Sequence, residues 1–414
     1  MSKPHLLVIS HVLPFPGSAG QQRRVRYKLE AFRERFHVTF MTFAPSGLIN
    51  EVKNNLSEYC DGSIVLPSRY GTNTVSKRMH RILGYIYSLT TGLKTSNYRI
   101  GKLEFAPERI ARLPGLDQVE LVVYEYWHAV DSTGYFQSRG IPCVLDMHDL
   151  LWKSYQRQLQ HKTIPNALKE RLLRQYRTHE HNAWKRFDAL IAINQAEYDY
   201  VRTHIPDKLL FYAPMGIDVE AWRYSWAPSN PPRIAYYGNL KNPYNQIEAL
   251  QCYNKIMPHV WNKFPQTEFW IIGAGPPAEI QTLASNDPRV RVPGYLDDIQ
   301  TLLKTMHTVI CPFEGQFGFR SRLIEAMALG VPVAATHNAV HGMNIIPNKG
   351  IFLSDNNVEL GEHCLSIIGK SSFAIEQSHL ARQQVTEQFS FEMTYGNLTK
   401  NLAGFVSEWS KKRG

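Results

Sequence analysis

The stretch His307–Gly330, HTVICPFEGQFGFRSRLIEAMALG, decides how this chain is read. It begins as a β-rich strand, passes through a loop in which Gly315 and Gly318 allow sharp turns, and ends in a run of good helix formers. Leu323, Ile324, Met327 and Ala328 supply the buried stripe of that helix, Ser321 is its expected N-cap, and Gly330 stops it. Arg320 and Arg322 flank the positive end of the helix, where each cation costs roughly 0.3–1 kcal/mol. A bound anion would offset that cost, because a glycine loop, a helix N-terminus and two guanidinium forks all suit phosphate oxygens. Glu325, one turn further in, offers two acceptor oxygens that match the vicinal hydroxyls of a ribose. A plainer reading stays open, with both arginines in solvent and Glu325 paired with one of them.

Outward from this stretch the same strand–helix rhythm recurs. HLLVIS, FHVTFMTF, DGSIVLP, LVVYEYW, PCVLDMH and DALIAIN mark the first half; RIAYYG, EFWIIGAG, RVRVPG, HTVICPF, VPVAAT and GIFLSD mark the second. Short β-rich runs alternating with helical patterns imply βαβ units and mainly parallel sheets. The rhythm breaks between Ala227 and Pro232, where three prolines read as a linker. The expected organisation is therefore an α/β chain with one Rossmann-like domain over 1–216, a linker over 217–232 and a second domain over 233–399. A closing helix, 400–414, is expected to pack back onto the first domain. Two such domains facing each other would form a cleft lined by the loops that follow strands.

Composition bounds the partners. A chain of 414 residues with 20% charged residues is an ordinary two-domain globular protein. The net charge of +10 suits nucleic acid, anionic lipid or phosphorylated small molecules alike. No zinc-finger spacing or RNP-like aromatic motif favours nucleic acid, and none is expected as a partner. Five scattered cysteines without a CxxC pair point to a reducing compartment. The apolar run at the start is too short for a signal peptide, so a cytoplasmic location is expected, with the inner membrane face left open. GAGPPA, at Gly273–Ala278, is a tight turn rather than a dinucleotide site, since Pro276 and Pro277 remove two N–H donors.

GFRSRLIEAMALGVPVAAT resembles the donor-binding signature of family-4 retaining glycosyltransferases, which have the GT-B fold and use nucleotide-sugars. It is closest to a subset with Gly-x-Arg-x-Lys/Arg before the donor-binding glutamate. YYGNLKNPYNQIEAL, FWIIGAGPPAEIQTL and RVRVPGYLDDIQTLL are similar to family segments in the family's order, as are HVLPFPGSAGQQRRV, VLDMHDL and DALIAINQAEYDYV in the first half. The resemblance implies that Glu325 holds the ribose, that Gly318, Phe319 and Arg320 meet the diphosphate and sugar, and that Arg322 is a second cation. It implies that Gly294 and Tyr295 lie beside the nucleobase and that Gly238 and Lys241 line the donor loop. His148 matches the histidine that reaches the donor sugar, and Gly20 the glycine loop beside the reaction centre. Neither a cofactor nor a metal is implied, the nucleotide-sugar being a substrate.

Two departures stand out. The family's first glutamate, eight residues before the ribose glutamate, is here Phe317, and Glu314 replaces it only if the loop folds back. The family's arginine and lysine after the first C-terminal-domain strand are also missing, leaving Lys241. Arg23 and Arg24 on the acceptor side are candidates for an acceptor phosphate, or are surface charges. His148 reads as a site residue past a strand end, with Asp146 and Asp149 either orienting it or capping the next helix. Between Lys77 and Arg112, eight Lys/Arg against two Asp/Glu interleave with apolar residues. That pattern suits an anionic membrane bearing a lipid-linked acceptor, or a solvated face packed on its own domain. The function expected is sugar transfer from a nucleotide diphosphate to a hydroxyl acceptor with retention of configuration. A non-catalytic basic protein that binds lipid or nucleic acid and a nucleotide-sugar epimerase are the alternatives.

Overall fold

The computed structural model describes residues 3–17, 19–69, 75, 78–79, 82–83, 86, 101–160, 162–315 and 319–412. The chain divides into two compact units, one of Met1–Pro214 with Thr394–Gly414 and one of Met215–Met393.

The first unit is built on β1 (His5–Ile9), β2 (His37–Ala44), β3 (Gly62–Pro67), β4 (Leu121–Glu125), β5 (Cys143–Asp146), β6 (Ala189–Ala192) and β7 (Leu209–Tyr212), in the order β3-β2-β1-β4-β5-β6-β7. Every neighbouring pair is parallel. Alternation along β1 shows why the sheet is covered on both faces. Leu6 and Val8 enter one core with Val25, Leu29 and Phe32, while Leu7 and Ile9 enter another with Tyr155, Leu172 and Trp184. The first of these helical triplets comes from α1 (Gly20–Phe32). The helix Asn397–Lys411 adds Leu398, Leu402 and Val406 to the same core as α1.

The second unit carries β8 (Arg233–Tyr237), β9 (Glu268–Ile272), β10 (Val290–Gly294), β11 (Thr308–Cys311), β12 (Val333–Ala335) and β13 (Ile351–Leu353), ordered β10-β9-β8-β11-β12-β13 and parallel throughout. α2 (Ser321–Ala328) follows β11 and buries Leu323, Ile324, Met327 and Ala328. Its end is a Schellman motif. Gly330 N–H donates to Met327 O at 3.0 Å and Val331 N–H to Ala326 O at 3.0 Å, with Gly330 at φ +89°.

The two units are thus Rossmann-like parallel-sheet domains, the expected α/β class. Three local expectations differ. Ser321 is the first helical residue, and the cap position falls to Arg320, whose side chain makes no capping bond. β7 was not anticipated, because its four residues form an edge strand with Leu209 exposed and carry no full period. The segment 217–232 is part of the second unit rather than a free linker. Ser225, Ala227 and Ser229 N–H donate to Leu329, Lys304 and Thr305 carbonyls at 3.0 Å or slightly less or more, and Trp226 Nε1 donates to Met306 O at 2.8 Å. Among the described residues no helix is long and apolar enough to cross a membrane. All five cysteines are buried free thiols.

Candidate functional site

In the second unit the carboxyl ends of β8, β9 and β10 converge. Gly238 N–H donates to Ile272 O, and Gly273 N–H to Gly294 O, each at 3.0 Å. A Cβ on Gly273 would fall 1.8 Å from Gly238 O, so two backbones meet here that only glycine permits. A Cβ on Gly238 would fall 2.5 Å from the Arg322 guanidinium. The structure therefore gathers Gly238, Gly294, Arg322 and the start of α2 at one sheet edge.

Arg322 is not a phosphate ligand in waiting. Its Nη2 donates to Glu248 Oε2 at 2.7 Å and to Cys311 Sγ at 3.2 Å, and its Nη1 donates to Tyr236 OH and Tyr237 O at 3.1 Å. Burial opposes the charge, but Cys311, Tyr236 and Glu248 outweigh it and hold the guanidinium protonated. The two arginines at the helix end are tolerable because Glu248 neutralises one of them from within the unit. Arg320 differs: its guanidinium lies 3.4 Å from the centroid of the Phe313 ring. Glu325 is buried and accepts a hydrogen bond from Tyr237 OH. Phe319 packs edge-on against Phe389, Tyr295 is 65% exposed, and Lys241 is exposed with its stem over Gly275. Glu314 is exposed. Gly318 and Phe317 lie outside the described residues.

In the first unit, α1 sends two cations inward to meet the ends of β4 and β5. Arg24 Nε and Nη2 donate to the two Asp146 carboxylate oxygens at 2.9 and 3.1 Å, and Nη1 donates to Ala213 O at 2.9 Å. Lys28 Nζ donates to both Glu125 oxygens at 2.7 Å and also to Asp146. All four side chains are buried. Arg24 is therefore neither a surface charge nor an acceptor-phosphate ligand, since Asp146 and Ala213 already engage its fork. Arg23 is half-buried beside it, and Gly20 is the first residue of α1.

His148 sits on this ionic layer. Its Nε2 hydrogen-bonds Glu125 Oε2, and its backbone N–H donates to Asp146 Oδ1 at 3.1 Å. Tyr126 stacks on the imidazole at 4.1 Å between centroids. Tyr126 and His148 both have positive φ, +69° and +59°, a strain of about 1–3 kcal/mol each that the surrounding contacts must hold. Burial lowers the His148 pKa, only partly opposed by Asp146 and Glu125, so the neutral ring donates Nε2–H to Glu125. Burial also opposes ionisation of the two carboxylates. Arg24 and Lys28 reverse this for Asp146, and Lys28 and His148 for Glu125, leaving both pKa values lowered. Glu125, Asp146 and His148 offer donor atoms within 4.8 Å of one another, and the Lys28 ammonium stands where a cation between the two carboxylates would.

Sequence reading missed Lys28, Glu125, Tyr237 and Glu248. A signal existed for the first pair: Arg24 and Lys28 fall on the same helical half as Val25, Leu29 and Phe32, and Glu125 and Asp146 each end a strand. Within 77–112, the described residues 101–112 pack on the first unit. Phe105 and Ile110 are buried there, and Arg109 pairs with buried Glu104 at 2.6 Å. Most of the rest of that segment lies outside the described residues. Val75, Met79, Ile82 and Leu83 are described and exposed.

Residues 231–369 match the family model described as glycosyl transferases group 1. No curated protein matches the chain. Among solved structures the chain is similar to sucrose-phosphate synthase from Thermosynechococcus elongatus, at 19% identity and a TM-score of 0.68 over 98% of this chain and 100% of that one. It is similar to Anabaena HepE in complex with UDP, at 14% identity and a TM-score of 0.62 over 97% and 100%. TarM gives 12% identity and a TM-score of 0.69 over 97% and 99%, and its source is S. aureus. At such identities the likeness is one of fold, and that fold is GT-B.

Proposed function

We propose that this protein is a retaining glycosyltransferase that moves a sugar from a nucleotide diphosphate donor to a hydroxyl acceptor. The observation that carries the reading is Glu325. It is a buried carboxylate in the first turns of α2, oriented by the Tyr237 phenol that donates to Oε2, inside the segment that matches the group 1 glycosyl transferases. On this reading Glu325 takes the ribose hydroxyls and Arg320 with the start of α2 takes the diphosphate. Gly238, Lys241, Gly294, Tyr295, Gly318 and Phe319 line the donor. Arg322 supports that loop through Glu248 rather than by touching phosphate. HepE structures with UDP and with UDP-glucose, and a TarM mutant structure with UDP and alpha-GlcNAc-glycerol, make uridine nucleotides the first donors to try.

The reaction breaks the bond from the anomeric carbon to the diphosphate oxygen. The acceptor oxygen bonds to the same face, and its proton passes to the departing diphosphate oxygen. Arg320 and the helix N-terminus stabilise the charge that develops there, so the scheme needs no metal or cofactor. On the first unit, His148, which burial keeps neutral, is the candidate for the donor sugar. A lipid-linked acceptor at a membrane surface remains compatible with exposed Met79, Ile82 and Leu83 next to Arg78.

The experiment is a thermal-shift panel of nucleotides and nucleotide-sugars on wild type and Glu325→Ala. A true donor at a hundred times its Kd adds about 2.7 kcal/mol of stability to wild type, and Glu325→Ala loses that response. A folded wild type that responds to no common donor overturns the proposal.

A further inference from the structure

The first unit holds a cavity of about 550 Å³, within the roughly 300–1,000 Å³ typical of ligand sites. It lies one ring away from His148, because Tyr126 lines it and stacks on that imidazole. Its walls combine aromatic rings, among them Phe15, Tyr155 and Tyr176, with amides such as Gln21 and Gln158 and with the imidazoles of His11 and His128. In a chain of net charge +10, none of the described residues lining it is Lys, Arg, Asp or Glu. Arg24 and Lys28, on the helix that carries Gln21 and Gln22, are turned away into the buried ionic layer.

Two polar atoms of this lining have no hydrogen-bond partner. His128 Nδ1 and Tyr155 OH are buried and unpaired, and both residues are only 4% exposed. Native proteins rarely leave such groups unsatisfied, and a ligand rich in hydroxyls would satisfy both. Burial, with His11 adding to it, holds His128 well below its ordinary pKa, and burial with His148 brings His11 down to about 4. At neutral pH the cavity is thus uncharged as well as free of formal ion pairs.

We propose that this cavity seats an uncharged glycosyl unit of the acceptor. The assignment rests on the transferase reading above. A pyranose offers apolar C–H faces to the Tyr and Phe rings and hydroxyls that both donate and accept. Those hydroxyls match the amides of Gln21 and Gln158, Nδ1 of His128 and the Tyr155 phenol. A phosphate seated here would be desolvated with no cation among the described lining residues to pair with it. The chemistry selects a neutral saccharide over a sugar phosphate or glycerol phosphate.

The test uses the full chain and saturation-transfer NMR, with and without the nucleotide that stabilises it. Maltose, cellobiose and sucrose are compared with glucose 1-phosphate, glucose 6-phosphate and glycerol 3-phosphate. Binding of at least one neutral disaccharide is expected, insensitive to salt. Gln158→Trp, an exposed substitution at the cavity wall, should weaken it by about tenfold or more. Tyr155→Phe, which removes one hydrogen bond, should weaken it by about three- to tenfold. Both variants should keep the wild-type thermal response to nucleotide. Binding of the phosphorylated compounds alone, binding unchanged by both variants, or no saccharide binding while the nucleotide response is intact overturns the assignment. Saccharide binding that the variants weaken, in a protein that answers to no nucleotide, would instead overturn the transferase reading and keep the cavity as a saccharide site.

Discussion

Lys28 and Glu125 meet through both carboxylate oxygens at 2.7 Å, with each side chain about 1% exposed inside the first unit. Asp146 shares the same ammonium, so two carboxylates depend on Lys28 and Arg24 for their charge balance. Lys28→Met leaves an uncompensated buried carboxylate and should cost about 3–5 kcal/mol. Urea denaturation followed by circular dichroism measures this. Adding Glu125→Gln to Lys28→Met should restore part of the loss, because the stranded charge is then gone.

Acid should destabilise the protein well before its carboxylates titrate. The histidines His11, His128 and His148 have folded pKa values below the ordinary 6.5, so the unfolded chain binds more protons than the folded one. Their stabilisation is present above about pH 6.5 and declines as pH falls toward the lowered values, which for His11 means about 4. The slope is about 1.4 kcal/mol per pH unit for each such histidine. Glu125 and Asp146, also lowered, add a loss that begins as pH falls through the ordinary carboxylate range and continues below it. Urea midpoints at pH 7, 6 and 5 should fall steadily, and His128→Asn should flatten the slope between pH 6 and 5.

The two arginines at α2 should separate by phenotype. Arg322→Lys cannot reproduce four hydrogen bonds from one planar fork, and a cost of roughly 2–4 kcal/mol follows from disturbing the buried pair with Glu248. Arg320→Ala removes a ring contact near the surface and should cost under about 1 kcal/mol. Calorimetry should therefore show a large drop in Tm for Arg322→Lys alone. The nucleotide response should weaken in Arg320→Ala, and a variant that retains the full response counts against a diphosphate role.

Gly330 ends α2 at φ +89°, and a Cβ there would sit 2.4 Å from the Tyr224 ring and 2.7 Å from Ser378 Oγ. Gly330→Ala combines left-handed strain of about 1–2 kcal/mol with overpacking of about 1–3 kcal/mol. Thermal unfolding should show the sum, near 2–5 kcal/mol. A shift under about 0.5 kcal/mol would mean that Tyr224 yields freely.

What the sequence disclosed was what periodicity can carry. Twelve of the strands stand out as β-rich runs, and the end of α2 is visible in Gly330 because glycine at C′ has a backbone reason. Arg24 and Arg322 were misjudged for the opposite reason. A cation's partner lies far along the chain, 122 residues away for Arg24 and Asp146 and 74 for Arg322 and Glu248, and no local pattern encodes such a meeting. Both arginines looked like ligands for an outside anion, and each has a carboxylate of its own. Glu325 could be placed on its helix from spacing, whereas its phenol partner, Tyr237, becomes visible only once β8 lies beside α2.

The helix Asn397–Lys411 belongs to the first unit, while the second occupies Met215–Met393 without interruption. A ribosome therefore delivers the whole second unit before the residues that close the core over β1 and α1. The unit begun first can be finished only last, and until Leu398, Leu402 and Val406 emerge, Val25, Leu29 and their neighbours lack part of their cover. A stop codon near residue 394 would leave the second unit tethered to a first one that lacks Leu398, Leu402 and Val406.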